Sequence, residues 1–164
     1  MRFHLIDRVD ELEANRHVVA RKVTSHREDY WRELGRGMEM PAHLVLESLC
    51  QAGTWLVVTS TERRLRAALL SIDSVVFGDP VRPGDVLTLT GSVETISEEI
   101  AVLSGTASVE GKIVLEAQSI MCALIAADQL DSPDETERMQ HQLAGHLPVL
   151  RDAGKQAIGA GGVR

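Results

Sequence analysis

The stretch "RGMEMPAHLVLESLCQAGTWLVVTS", Arg36 to Ser60, decides how the rest of the chain is read. From Pro41 onward it runs twenty residues with Glu47 as its only charge. Leu44, Val45, Leu46, Leu49, Cys50, Ala52 and Trp55 to Val58 fill most of the circumference of a helix, and a helix that is apolar nearly all round is buried. Pro41 suits its first turn, where a missing N–H costs nothing. Positions 43, 47 and 51 stack one above another at helical spacing, so His43, Glu47 and Gln51 form one narrow polar stripe. Such a stripe is either the wet face of the helix or the lining of a cleft. In a cleft a carboxylate among apolar neighbours can serve as general acid or base.

The flanking segments change period. "FHLIDRV" and "HVVARKVT" read as strands joined by a turn in "DELEANR", and Ser25 to Met40 reads as a loop with a short helical turn. After the helix, "STERRLR" ends it and "ALLSIDSVVF" begins a strand that stops at "GDPVRPGD", whose two prolines and two glycines cannot be central strand. "VLTLTGSVETI", "IAVLSGTASV" and "KIVLEAQSIMCALI" follow with short turns between them, Glu110 and Gly111 making the last. Strands so joined can only pair antiparallel, because a parallel crossover needs a dozen or more residues. The expected architecture is α+β, a mainly antiparallel sheet of five or six strands wrapped round one long helix over residues 1–127. Residues 128–164 form a C-terminal appendage, a surface helix capped by Ser132 with Pro133 and Glu135 in its first turn, then a glycine-rich tail.

Composition narrows the function. The chain has 164 residues, net charge −7 and 3% aromatic residues, with no block of Lys or Arg. Nucleic-acid binding and an anionic membrane surface are therefore disfavoured. Glu47 and Gln51 interrupt the apolar run, so no membrane insertion is expected. Cys50 and Cys122 sit in apolar runs as reduced core residues, and "MRFHLIDRVDELEANR" offers no apolar signal core, which together point to the cytoplasm. His141 and His146 lack partners at metal spacing, so neither a metal nor another cofactor is expected. The three arginines of "ERRLR" read as a solvated helix terminus or as a docking spot for an acidic carrier.

Three motifs, "FHLIDRVDEL", "MPAHLVLESLCQAG" and "FGDPVRPGDVL", resemble in order and spacing the FabZ-type beta-hydroxyacyl-[acyl carrier protein] dehydratases. The resemblance runs from about Phe3 to Ile125. It implies the hotdog fold and a working homodimer, or dimers assembled further, with an acyl carrier protein or coenzyme A thioester as partner in fatty acid or polyketide chemistry. It also implies that Glu47 is the catalytic acid, Gln51 the glutamine one turn on and Pro41 the proline at the helix start. Ala42 stands where the family usually has a glycine whose N–H polarises the thioester carbonyl. The implied reaction removes water from a 3-hydroxyacyl thioester to give the trans-2-enoyl product.

The chain departs from that pattern at one place. The family's catalytic histidine lies in a "GHFPG" loop eight residues before the proline, and here that position is Glu33. His43, one turn before Glu47, is the local imidazole that could replace it. Two other readings keep the same helix: an acyl-thioester hydrolase using Glu47, and a non-catalytic carrier-binding or dimerisation partner.

Overall fold

The computed structural model describes residues 4–129 and 132–147. Strands β1 (Arg8–Glu13) and β2 (His17–Val23) lead through a small hairpin, β3 (Arg32–Glu33) and β4 (Met38–Glu39), into helix α1 (Ala42–Ser60). β5 (Leu65–Phe77), β6 (Val86–Ile96), β7 (Ile100–Val109) and β8 (Lys112–Ala126) follow, and a 3-10 turn leads to α2 (Pro133–Ala144). Six strands form one sheet in the order β1-β2-β6-β7-β8-β5, every pair antiparallel. The sheet curls over one side of α1, as the resemblance implies. No helix among the described residues is long and apolar enough to cross a membrane.

The helix buries one side only. Val45, Ser48, Leu49, Ala52, Gly53 and Trp55 to Val58 face the sheet. Three of its four hydroxyl residues bond one turn back within the helix, Ser48 to the Leu44 carbonyl, Thr54 to Cys50 and Ser60 to Leu56, while Thr59 accepts from the Gln140 amide of α2. The close approach of helix and sheet depends on glycine. Gly91 of β6 and Gly105 of β7 lie opposite each other. A Cβ on Gly105 would stand 2.4 Å from the Thr90 carbonyl oxygen of β6 and 2.9 Å from Leu49 Cδ1, so any side chain there would strain the β6–β7 pairing and press on the Leu49 side chain of the helix.

Several expectations need correction at the amino end. β1 starts at Arg8, not at Phe3, and residues 4–7 are not strand; Phe3 lies outside the described residues. Most of "DELEANR" is strand, and the turn is confined to Ala14–Arg16, with Asn15 at φ 60°. The charges of Asp10, Glu11 and Glu13 fit an edge strand, where solvent meets one side. Ser25 to Met40 holds no helical turn. The two-residue strands β3 and β4 pair there instead, and Gly35 (φ 82°) and Gly37 (φ 103°) supply the left-handed backbone between them. β5 begins at Leu65, earlier than expected, since Glu62 and Arg63 adopt positive φ and turn the chain straight off α1. β6 and β7 run as expected, and the Glu110–Gly111 turn has positive φ at both residues, as a two-residue hairpin requires.

α2 lies against β1 and the far end of α1. The Ser132 hydroxyl accepts from the Glu135 N–H at 3.3 Å, with Pro133 in the first turn. Met139, Leu143 and Leu147 pack on the core. Arg63 pairs with Glu137 at 2.9 Å, while Arg66 donates to the Thr136 hydroxyl at 2.8 Å and lies over the Trp55 ring. Two of the three "ERRLR" arginines thus fasten the appendage. The expected glycine-rich tail lies outside the described residues.

Candidate functional site

The exposed side of α1 carries the polar stripe, and the structure joins two of its three members. The Gln51 amide nitrogen donates to Glu47 Oε1 at 2.9 Å, as the spacing of one turn permits. The Gln51 carbonyl oxygen accepts from the Leu5 main-chain N–H at 2.8 Å, which fixes which end of the amide faces Glu47. His43 is exposed on the first turn, and its imidazole lines neither of the two cavities beside α1.

The first cavity, about 200 Å³, runs from Glu47 and Gln51 at the surface inward past Cys50 to Leu49, Gly53, Leu103 and Ile120. Ala67 and Leu69 of β5 close one flank and Cys122 of β8 lies opposite Cys50. Both cysteines are free. Burial pushes the Cys50 thiol up to about 12, with the Glu47 carboxylate and Cys122 adding to the shift. Burial also raises Cys122. At neutral pH both are neutral thiols, so the cavity wall behaves as apolar surface and offers no thiolate nucleophile.

The second cavity, about 350 Å³, lies at the start of α1, lined by Pro41, Ala42 and Val45 with Phe77 at the end of β5. Its charged lining includes Glu39, whose side chain is 14% exposed and 3.7 Å from the Arg82 guanidinium. No side chain caps the helix N-terminus here, and no carboxylate stands in its first turn. The orphan N–H groups of a first turn favour negative charge. The residues singled out by sequence are thus divided: Glu47 and Gln51 in one cavity, Pro41 and Ala42 in the other.

Glu33, at the family's histidine position, is turned into its own hairpin. Its carboxylate accepts from the Gly35 and Gly37 N–H groups, each at 3.1 Å. Sequence reasoning overlooked Glu39, Leu103 and the placing of Cys50 against Cys122. Glu39 could have been flagged as a carboxylate two residues before the helix-start proline. The others depend on which strand passes beneath the helix, which no local pattern states. Among the described residues no group of three or more His, Cys, Asp or Glu could hold a metal.

Comparison with known proteins bears on the family and the fold. The chain is 31% identical over 133 residues to the 3-hydroxyacyl-[acyl-carrier-protein] dehydratase FabZ of Solibacter usitatus, covering 80% of each chain. It is 37% identical over 122 residues to the Helicobacter pylori enzyme of the same name, covering 70% of this chain and 77% of that one. Among solved structures, the dehydratase heterocomplex ApeI:P of Xenorhabdus doucetiae superposes with a TM-score of 0.60 at 17% identity, over 82% of this chain and 88% of that one. A hypothetical thioesterase from Streptococcus pneumoniae, solved with coenzyme A, gives 0.54 at 19% identity, over 72% and 84%. These neighbours share the hotdog fold. The FabA-like domain family matches residues 1–118, and with the identities above the chain belongs to that family, among the FabZ-type dehydratases.

Proposed function

We propose that the protein binds 3-hydroxyacyl thioesters carried on a phosphopantetheine arm, from an acyl carrier protein or coenzyme A, and eliminates water to give the trans-2-enoyl thioester. The single observation that carries this is Glu47, held by Gln51 at the mouth of an otherwise largely apolar, chain-sized cavity. His43, the local candidate for the base, takes the proton from the carbon beside the thioester carbonyl, and Glu47 gives a proton to the hydroxyl, which leaves as water as the C–O bond breaks. The charge that develops on the thioester carbonyl is met by the Ala42 N–H at the α1 N-terminus, beside Pro41.

Glu47 and Ala42 lie in separate cavities of one chain, and the β5 edge supplies a reason for a second. Ala67 and Leu69 flank the Glu47 cavity near the start of β5, and Phe77 flanks the Ala42 cavity at its end. Antiparallel pairing of β5 with β5 of a second copy about a twofold axis runs the start of one strand beside the end of the other. It would set the Glu47 cavity of each copy against the Ala42 cavity of its partner, a homodimer with two composite sites. Leu70, Val76 and Phe77, exposed on this strand, support such an edge. We place this activity in the cytoplasm, where Cys50 and Cys122 remain reduced.

The test is direct. Purified protein given a 3-hydroxyacyl thioester is expected to form the enoyl product, with Glu47→Gln slowing it at least about a hundredfold. Turnover unchanged by Glu47→Gln removes Glu47 from the chemistry, and turnover unchanged by His43→Ala removes His43 as the replacement base. Free thiol release in the same assay would identify a hydrolase instead.

A second reading rests on Glu33, which stands where the family keeps its histidine and whose carboxylate is occupied by its own hairpin. In that reading the chain is a non-catalytic subunit whose partner is another hotdog chain. Turnover absent alone and recovered on mixing with an active dehydratase is its signature.

A further inference from the structure

At the inner end of the Glu47 cavity, helix and sheet interlock through two reciprocal contacts. A Cβ built on Gly53 of α1 meets Leu103 Cδ1 at 2.9 Å, and one built on Gly105 of β7 meets Leu49 Cδ1 at 2.9 Å. Each leucine occupies the space that the other element's glycine leaves empty. Both leucines line the cavity and both are sealed from solvent, at 2% and 4% exposure. Glu47 at the other end is exposed. The cavity therefore has a wet mouth with the polar groups and a dry floor made of two leucines that cannot retreat, since the backbone of α1 or β7 stands behind each.

Resting on the acyl-thioester reading above, we infer that Leu103, backed by Gly53, sets an upper limit on acyl chain length, and that the preferred substrates are short- to medium-chain thioesters. The volume gives the scale. A methylene fills on the order of 30 Å³, about the share of one water in the liquid, so about 200 Å³ holds roughly six carbons. Longer chains meet the leucine floor, and closely packed interiors do not yield the missing volume cheaply. The Cys50 and Cys122 thiols, both protonated, add to the apolar wall and favour an unsubstituted alkyl tail over one with polar groups.

The experiment measures binding of non-hydrolysable S-alkyl pantetheine thioethers, from butyl through hexyl, octyl and decyl, by calorimetry. Each further buried methylene is worth roughly fourfold in affinity. Wild-type affinity should rise from butyl to hexyl and then fall. Leu103→Ala should move the optimum to longer chains, improving octyl and decyl by roughly tenfold while leaving butyl within about twofold. Leu103→Val, a smaller excision that keeps the fold if the alanine variant loses it, should shift the optimum in the same direction by less. Gly53→Ala, which presses a methyl onto Leu103, should weaken hexyl more than butyl. Affinity climbing steadily through decyl in the wild type, or an optimum unmoved by both Leu103 variants, overturns the inference and leaves the acyl-thioester reading intact. No binding at any length overturns that reading and the inference with it.

Discussion

At one edge of the sheet, β1 is six residues long, bulged between Val9 and Glu11, charged, and covered by α2. Asp10 there takes two hydrogen bonds from Arg21, at 2.6 and 2.7 Å, with Arg8 at 3.0 Å. At the other edge, β5 is thirteen residues long and leaves Leu70 at 59%, Val76 at 62% and Phe77 at 50% exposure with nothing packed over them in the single chain. Both edge strands carry a bulge, that of β5 lying between Leu69 and Ser71, so it is the ionic side chains and the covering helix that close the first edge to further strands. A long apolar edge is how one is kept open. One sheet does both, and that contrast is what supports the proposed β5 interface.

The largest expected effect comes from closing the open edge. Leu70→Lys combined with Val76→Lys places like charges across a twofold contact. It should weaken self-association by at least about a hundredfold in sedimentation velocity. Self-association undiminished by this pair would move the assembly off β5. Next in size, opening the closed edge with Met139→Ala and Leu143→Ala should cost about 2–4 kcal/mol in denaturant unfolding, by stripping the side chains that fix α2 to the core. The same pair should leave the proposed β5 dimer as it was, and its loss would show that the two edges are coupled.

The smallest effect concerns charge. The hydrogen bond from Arg21 holds the Asp10 carboxyl below its ordinary value, outweighing burial, the next largest influence, with the charges of Arg21 and Arg8 helping. A carboxyl lowered in the folded state contributes stability above its unfolded value of about 3.8 and loses it as pH falls through the folded value. Asp10→Asn should therefore be slightly less stable than the wild type at neutral pH, and the gap should close on acidification below about pH 4. With Arg21 open to solvent the gap will be small. A difference that persists in acid would mean that Asp10 acts by packing, not by its charge.

How much of this was legible in the sequence depends on whether the pattern is local. β6, β7 and the turn into β8 stand where alternation and a two-residue turn put them, because each is decided by neighbours in the chain. α1 was legible for the same reason, as were the Ser132 cap and the contact of Glu47 with Gln51 one turn apart. β1 was misplaced because Asp10, Glu11 and Glu13 look like turn residues until the strand is known to be an edge. A cleft at Glu47 was one of two readings of the polar stripe, but the far wall of the cavity was not legible, for Leu103 and Cys122 reach it only through the strand order. Nor was Gln51's second bond, since Leu5 lies 46 residues away.

That second bond makes the amino-terminal segment part of the site's electrical wiring. While the Leu5 N–H engages the Gln51 carbonyl, the amide presents hydrogen to Glu47. If the segment carrying Leu5 is cut back or pulled aside, Gln51 can turn over and present oxygen, exchanging an attraction for a repulsion between two electron-rich atoms. A change at Leu5, three residues before the first strand, would then be felt at Glu47 as a lost hydrogen bond and a displaced side chain.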